Sequence, residues 1–410
     1  MRYLIIGNSA AAIGAVEGIR EIDKVGSICL ISDEMYHTYS RPLISYYLQG
    51  KTDKDKMKYR DSDFYEKNSC QPMLGDTAVK IDHKKGNVIL ESKNKVAYDK
   101  LLIATGSRAF IPPIDGLKNV KKKFTFMKFD DVLALEKELT QDSRVLIMGA
   151  GLIGLKCAEG IYGRVKSIDV VDLAPRILSS ILDDEGAQII KNRICDKINF
   201  KLGAKVDKFN HNLAYLSDGT IQEFDILIIA VGVRPNIEIF ANCGGVVDKG
   251  IVTNEKQETS ITNIYAAGDV CESYDSSCDS RRILAILPNA YAQGRVAGIN
   301  MAGGSISNKD SLPINALGLF GTHMVTAGSY AGDSFADTKH GYKRLFIKDG
   351  ILRGYIIIDH IDKAGIYTAL IRDKAPLSSD DFNLIRVSPS LAAFSDAYRL
   401  RILSGSDNNI

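Results

Sequence analysis

The sequence contains no Cys-x-x-Cys pair. Its seven cysteines lie far apart, at positions 29, 70, 157, 195, 243, 271 and 278. An odd, scattered set argues against a disulfide framework and for free thiols in a reducing compartment. The six histidines form no metal-ligand spacing with them, so no metal site is expected. A strong charge of either sign is also missing. Lys and Arg number 52 against 50 Asp and Glu, and the net charge of +2 implies no nucleic-acid or membrane-surface field. No apolar run is long enough to span a bilayer. The apolar start, "MRYLIIGNSAAAIGA", is interrupted at Gly7 and reads as strand and helix, not as a signal peptide. A cytoplasmic location is expected. One short segment, "YSRPLIS" at residues 39–45, has an arginine, a proline and three hydroxyls, but no thiol.

What is present is a globular composition and one pattern written twice. The chain has 410 residues, 45% apolar and 25% charged, which fits two or three domains with real cores. In the first copy, an apolar strand (Tyr3–Ile6) runs into a turn of small residues, Gly7 to Ala12, and then a helix to Arg20. Such a helix start offers unpaired N–H groups and a favourable dipole to a pyrophosphate. The next strand, "SICLIS", ends before Asp33 and Glu34, where a carboxylate can hydrogen-bond a ribose. Ser9 and Ala12 stand where glycine is usual, so this copy alone also fits an ordinary strand–helix turn. The second copy is complete: Gly149, Gly151 and Gly154 have full G-x-G-x-x-G spacing after Val145–Met148. Asp172 ends the following strand, which suits the free hydroxyls of an NADH ribose and repels a 2′-phosphate. Arg176 nearby would offset part of that repulsion.

Three later segments are apolar strands ending in small residues, which let a backbone approach a ligand closely. They are "YDKLLIATGS" with Ala104, Thr105 and Gly106, "FDILIIAVGVRPN" with Gly232, and "SITNIYAAGDV" with Gly268 and Asp269.

In this order, Gly7–Ala12, Ala104–Gly106, Gly149–Gly154, Gly232 and Gly268-Asp269 resemble the FAD-dependent pyridine-nucleotide reductases with two dinucleotide domains, over roughly residues 1–375. Within that family, "YSRPLISYYLQGK" and "YKRLFIKDGILRGYIIIDHIDKAGIYTALI" are similar to NADH:rubredoxin reductases and to the flavin module of assimilatory nitrite reductases. The resemblance implies an α/β fold with two Rossmann-like domains, one inserted in the other, and a small α+β C-terminal domain. The FAD domain would take residues 1–108 and 237–313, the NADH domain 109–236, and the C-terminal domain with its tail 314–410. It further implies non-covalent FAD held by Gly7, Ser9, Ala10, Ala11, Asp33, Arg41, Pro42, Val79, Ala104, Thr105, Gly106, Asp269 and Leu287. NADH would be held by Gly149, Gly151, Leu152, Ile153, Gly154, Asp172 and Gly232.

The resemblance gives the thiol-free segment a meaning. Disulfide reductases of this superfamily carry a cysteine pair beside the flavin, and peroxidase and oxidase relatives carry one. That single cysteine falls at or beside Pro42. The nearest thiols, Cys29 and Cys70, are expected on a strand and a loop, as small residues without redox work. The flavin is then the last redox centre of the chain, converting a two-electron donor to single-electron transfer. A small one-electron carrier, rubredoxin by resemblance, is the implied partner. Direct reduction of oxygen, as in NADH oxidases, and a non-enzymatic NADH-sensing flavoprotein are the alternatives.

Two positions depart from the family. Lys156 stands where a glutamate is usual, and the lysine that partners that glutamate falls near Tyr46. Lys156 is therefore a candidate catalytic residue beside the flavin, or a lysine that points to solvent. Met127 replaces an arginine found in many relatives. Basic clusters at 51–60, 118–124 and Arg281-Arg282 are solvated faces, or steering surfaces for an acidic carrier. A hairpin is expected at Lys348-Asp349-Gly350, then a helix in "DKAGIYTALIRDK", and another in "SLAAFSDAYRLRIL".

Overall fold

The computed structural model describes residues 1–309, 311–338, 341–387, 389–390 and 394. Two compact units emerge. The first comprises Met1–Ser180, Ala187–Tyr274 and Arg281–Lys309, and the second Ile181–Gly186, Asp275–Ser280 and the described residues from 311 onward.

The first unit is built on two parallel sheets. Strand β1 (Arg2–Ile6) leads into helix α1 (Ala10–Ile22) and then strand β2 (Ser27–Ser32). A short helix α2 (Ile44–Leu48) follows, then β3 (Cys70–Leu74) and β4 (Lys100–Ile103). Cys70 thus opens a strand, where a loop is expected from the sequence, because Ile28 to Ser32 recruit residues 70–74 as a parallel partner. The second sheet uses β5 (Lys123–Phe124), β6 (Arg144–Met148), β7 (Ser167–Asp172), β8 (Asn199–Leu202) and β9 (Ile226–Ile229). Helix α3 (Phe129–Glu138) precedes β6, and helix α4 (Leu152–Ile161) follows it. Strand β10 (Ile264–Ala266) and helix α5 (Leu287–Met301) complete the unit. The strand orders are β10-β4-β1-β2-β3 and β8-β7-β6-β9-β5. The central strands "LII" and "VLIM" are buried, as parallel strands covered on both faces require.

The two sheets repeat one another at the level of single hydrogen bonds. Gly7 N donates to Ile31 O, and Gly149 N to Val171 O, both at 2.8 Å. Ala104 N donates to Ile6 O, and Ala230 N to Met148 O, again both at 2.8 Å. The chain passes between the two sheets through Ser107–Ala109 and Val233–Pro235, which pair antiparallel.

Helices α1 and α5 cross at very close range. A Cβ on Gly14 would lie 2.3 Å from Tyr291 O, and one on Gly18 2.4 Å from Arg295 O. Reciprocally, Gly294 and Gly298 abut Ala11 O and Ala15 O at 1.9 and 2.2 Å. Four glycines, spaced four apart on each helix, let the two backbones touch.

The second unit is an antiparallel sheet of five strands with a helix, Ala364–Arg372, packed on it. The expected hairpin is there. Lys348 pairs with Ile351, and Asp349 (φ 56°) and Gly350 (φ 68°) make the turn, both left-handed as a two-residue hairpin loop requires. Asp183 anchors this sheet, accepting from Tyr342 Oη (2.5 Å) and Arg344 Nη1 (2.8 Å). The helix expected in residues 390–403 and the tail after it lie outside the described residues, apart from Ser390 and Phe394.

Candidate active site

Both strand–turn–helix units present open backbone donors. The first helical bond of α1 is Ile13 N to Ser9 O, so the N–H groups of Ala10, Ala11 and Ala12 lie ahead of the ladder. In α4 the first bond is Leu155 N to Gly151 O, which leaves Leu152, Ile153 and Gly154 in the same position. Ser9 and Gly151 are the two N-cap residues, both extended (φ −111° and −80°), so a side chain is tolerated there. Neither makes a capping side-chain bond.

The glycines divide into two groups. A Cβ on Gly7 would lie 2.1 Å from Ala104 O, one on Gly149 2.2 Å from Ala230 O, and one on Gly154 2.0 Å from Gly149 O. These three are consumed by contacts within the protein. A Cβ on Gly106, Gly151 or Gly232 would meet nothing within 4 Å, although Gly106 and Gly232 have positive φ. The backbone there is bare toward open space, beside the free helix N–H groups. The residues present fit two dinucleotides, one per sheet.

The carboxylates are arranged less simply than the sequence suggests. Asp33 is half-exposed and pairs with Lys128 at 2.5 Å. Its neighbour Glu34 is the buried one, accepting from Arg41 Nη2 (2.5 Å) and Tyr39 Oη (2.6 Å). Arg41 also donates to Met127 O at 3.0 Å, so it reaches the backbone of the position where relatives carry an arginine. Burial raises the Asp269 carboxyl, while the Arg41 charge and the Ser107 hydroxyl (3.4 Å) pull it down. Asp172 closes over the second fingerprint, accepting from Ala150 N (2.6 Å) and Ala174 N (2.7 Å). Arg176 donates to Ser179 O at 3.4 Å.

The remaining expected residues fall around these loops. Pro42 lies in the 3-10 turn Arg41–Leu43 that leads into α2. Thr105 and Gly106 are clamped by Asn236, which sequence reasoning missed: Thr105 Oγ1 donates to Asn236 O (2.9 Å) and Asn236 Nδ2 to Thr105 O (2.8 Å). Leu287 is the first residue of α5, and Val79 sits half-exposed on the strand Ala78–Asp82. Also unforeseen is an aromatic group. Tyr36, Tyr39 and Tyr47 all pack on Phe129, with centroids 5.2, 6.0 and 4.9 Å away. It ties the thiol-free segment to α3. The residues come from positions too far apart for any local pattern to reveal.

Lys156 does not point to solvent. Its side chain is 15% exposed and forms an ion pair with Glu159, itself 11% exposed. The ammonium lies 4.7 Å from the centroid of the Tyr46 ring. The basic clusters are partly neutralised: Lys56 pairs with Asp53, Lys58 with Asp55 and Lys122 with Glu138. Arg281 donates to Thr253 O.

All seven cysteines are free. Burial pushes Cys29 up to about 11 and Cys70 and Cys271 up to about 12, and raises Cys157 too. Thiols held protonated are poor nucleophiles. Cys195 and Cys278 are exposed. Among the described residues, no group of three or more His, Cys, Asp or Glu is placed to hold a metal ion. No helix among them is long and apolar enough to cross a membrane.

The model of the pyridine nucleotide-disulphide oxidoreductase family matches residues 1–294. The chain is 29% identical to the NADH-dependent phenylglyoxylate dehydrogenase subunit epsilon of Aromatoleum evansii, covering 92% of this chain and 94% of that one. It is 33% identical to an NADH oxidase of Methanocaldococcus jannaschii (74% and 70% covered). It is 29% identical to the NADH-rubredoxin oxidoreductase of Clostridium acetobutylicum (80% and 81% covered). The fold matches putidaredoxin reductase, solved in a covalent complex with putidaredoxin, with a TM-score of 0.86 at 20% identity (100% and 99% covered).

Proposed function

Because the chain belongs to the pyridine nucleotide-disulphide oxidoreductase family, we propose that it carries electrons from NADH through FAD to a small iron–sulfur carrier protein, with rubredoxin as that carrier. The class is that of its relatives, an NADH-dependent flavoprotein oxidoreductase. The bound flavin supplies the step from a two-electron donor to single-electron transfer. The chain's own residues bind and orient. In this reading residues 1–108 and 237–313 hold FAD and residues 109–236 hold NADH. The N–H groups of Ala10 and Ala11 serve one pyrophosphate, and those of Leu152 and Ile153 the other. Gly106 and Gly232 keep the strand ends bare where each dinucleotide passes. Asp172 takes the ribose hydroxyls of NADH and disfavours a 2′-phosphate.

The observation that carries the choice of a one-electron acceptor is the segment Tyr39–Ser45. It joins the FAD half to α3 through Arg41 and Tyr39, and it holds no thiol. The buried cysteines are held protonated, so none of them is suited to take electrons from the flavin and keep them. A second reading, direct reduction of oxygen, is favoured by the identity to an NADH oxidase. Anaerobic stopped-flow separates the two. NADH should bleach the flavin, and oxidised rubredoxin should restore its colour much faster than oxygen does. Faster reoxidation by oxygen than by rubredoxin would favour the oxidase, and no bleaching by NADH would sink both.

A further inference from the structure

Resting on the reading above, in which each sheet holds one dinucleotide, we propose that Ser32 occupies in the first unit the place that Asp172 occupies in the second. The first site then takes adenosine diphosphates with or without a 2′-phosphate on the ribose, NADP(H) among them.

The equivalence comes from the two sheets themselves. In the first, Ile6 is level with Ile31 and Gly7 N donates to Ile31 O. In the second, Met148 is level with Val171 and Gly149 N donates to Val171 O. The next residue along each strand is Ser32 in β2 and Asp172 in β7. Their side chains repeat one bond. Asp172 Oδ1 accepts from Ala174 N, two residues on, at 2.7 Å, and Ser32 Oγ accepts from Glu34 N, also two residues on, at 3.2 Å. Asp33, the carboxylate expected at this place from the sequence, is one residue out of register and half-exposed. Asp172 Oδ2 further accepts from Ala150 N. Asn8, the counterpart of Ala150, is held by its side chain, which accepts from Tyr65 Oη (2.8 Å) and donates to Tyr36 O (3.1 Å).

The chemistry follows from the exchange of a carboxylate for a hydroxyl. A carboxylate at the end of this strand accepts from the ribose hydroxyls and repels a 2′-phosphate. A hydroxyl carries no charge and can both accept and donate. Ser32 Oγ can take a hydrogen bond from a free 2′-hydroxyl or give one to a 2′-phosphate oxygen. The two carboxylates that follow it are each matched by a cation, Asp33 by Lys128 and Glu34 by Arg41. The open N–H groups of Ala10, Ala11 and Ala12 attract the pyrophosphate in either case. The two turns thus read the adenosine end differently. The second selects against a charged ribose, and the first is indifferent to it. An empty first site is open to NADPH even though the second site disfavours it.

The test is competition for FAD loading by the full-length chain after its flavin is removed, followed through flavin fluorescence. In the parent, ADP-ribose and 2′-phospho-ADP-ribose should halve loading at concentrations within about threefold of each other. In Ser32→Asp the new carboxylate would meet the N–H groups of Asn8 and Glu34, as Asp172 meets those of Ala150 and Ala174. The phosphorylated competitor should then become about tenfold the poorer of the two. A parent that disfavours 2′-phospho-ADP-ribose by more than about threefold would overturn the proposal, and so would a parent in which neither competitor reduces loading. These two outcomes need no variant, so the parent decides even where Ser32→Asp does not fold. An unchanged ratio in a folded Ser32→Asp protein would overturn it as well. A stripped parent that melts as a folded protein and yet takes up no FAD would instead overturn the flavoprotein reading, and this is seen before any competitor is added.

Discussion

Alanine at Gly149 and alanine at Gly151 should have opposite consequences, although the two glycines are neighbours in one motif. At Gly149 the backbone φ is +111°, a region L side chains rarely adopt, and the new Cβ would sit 2.2 Å from Ala230 O. Relief requires the β6–β9 pairing to open, with loss of the bond from Ala230 N to Met148 O. Backbone strain of about 1–3 kcal/mol and one lost hydrogen bond of about 1 kcal/mol give about 3 kcal/mol. That corresponds to a fall in Tm on the order of 5–10 °C. At Gly151 φ is −80° and a Cβ would meet nothing within 4 Å. Ser9 shows that the same N-cap geometry accepts a side chain in the first unit. Gly151→Ala should therefore melt with the parent and keep its FAD. Its methyl group would intrude where NADH passes, raising KM for NADH about tenfold, or about 1.4 kcal/mol. Thermal melts followed by flavin fluorescence, beside steady-state NADH titrations, read both effects. A Gly151→Ala protein that melts as low as Gly149→Ala, or binds NADH like the parent, would refute the division of the glycines into two roles.

Three further outcomes are expected. Asp172→Ala should weaken NADH and narrow its advantage over NADPH, read as the ratio of the two kcat/KM values, since the variant loses both the ribose acceptor and the repelling charge. Alkylation of the exposed Cys195 and Cys278 should leave NADH-to-carrier turnover intact, and loss of carrier reduction with flavin bleaching preserved would reveal a thiol relay. The Arg144 side chain, with its backbone N–H, holds the Asp225 carboxyl at about 2. A depressed carboxylate stabilises the fold above its unfolded value of about 3.9 and loses that contribution as pH falls through about 2. Asp225→Asn should thus melt below the parent at neutral pH, and the gap should close between about pH 4 and pH 2.

The elements that the sequence announces are those whose causes are local. A strand, a small-residue turn and a helix follow from "LIIGNSAAAIG" and "VLIMGAGLIG" because period, turn and cap all lie within twenty residues. The left-handed pair Asp349-Gly350 is likewise its own signal. Distant partners are not written locally. Whether Asp33 or Glu34 is buried depends on Arg41 and Tyr39 closing on Glu34. Lys156 meets the expected Tyr46, but its ion pair with Glu159, one turn away on the same helix, has no signal in the family pattern. Asn236 clamps Thr105 across 131 residues, with nothing in "VRPN" to announce it. Cys70 becomes a strand residue only because β2 recruits it.

The crossing of α1 and α5 has a bearing on how the protein is made. The glycine face of α1 emerges first from the ribosome, and its mate around Gly294 and Gly298 arrives roughly 280 residues later. At ~5–20 residues per second this is a delay on the order of 15–60 s. Throughout that time the nascent first sheet has one side uncovered, with Ile13, Val16 and Ile19 of α1 already demanding burial. A truncated transcript or a stalled ribosome before residue 294 would release a chain that cannot close its first sheet. Such a fragment would be drawn to chaperones or to its own copies, however sound its nucleotide motifs.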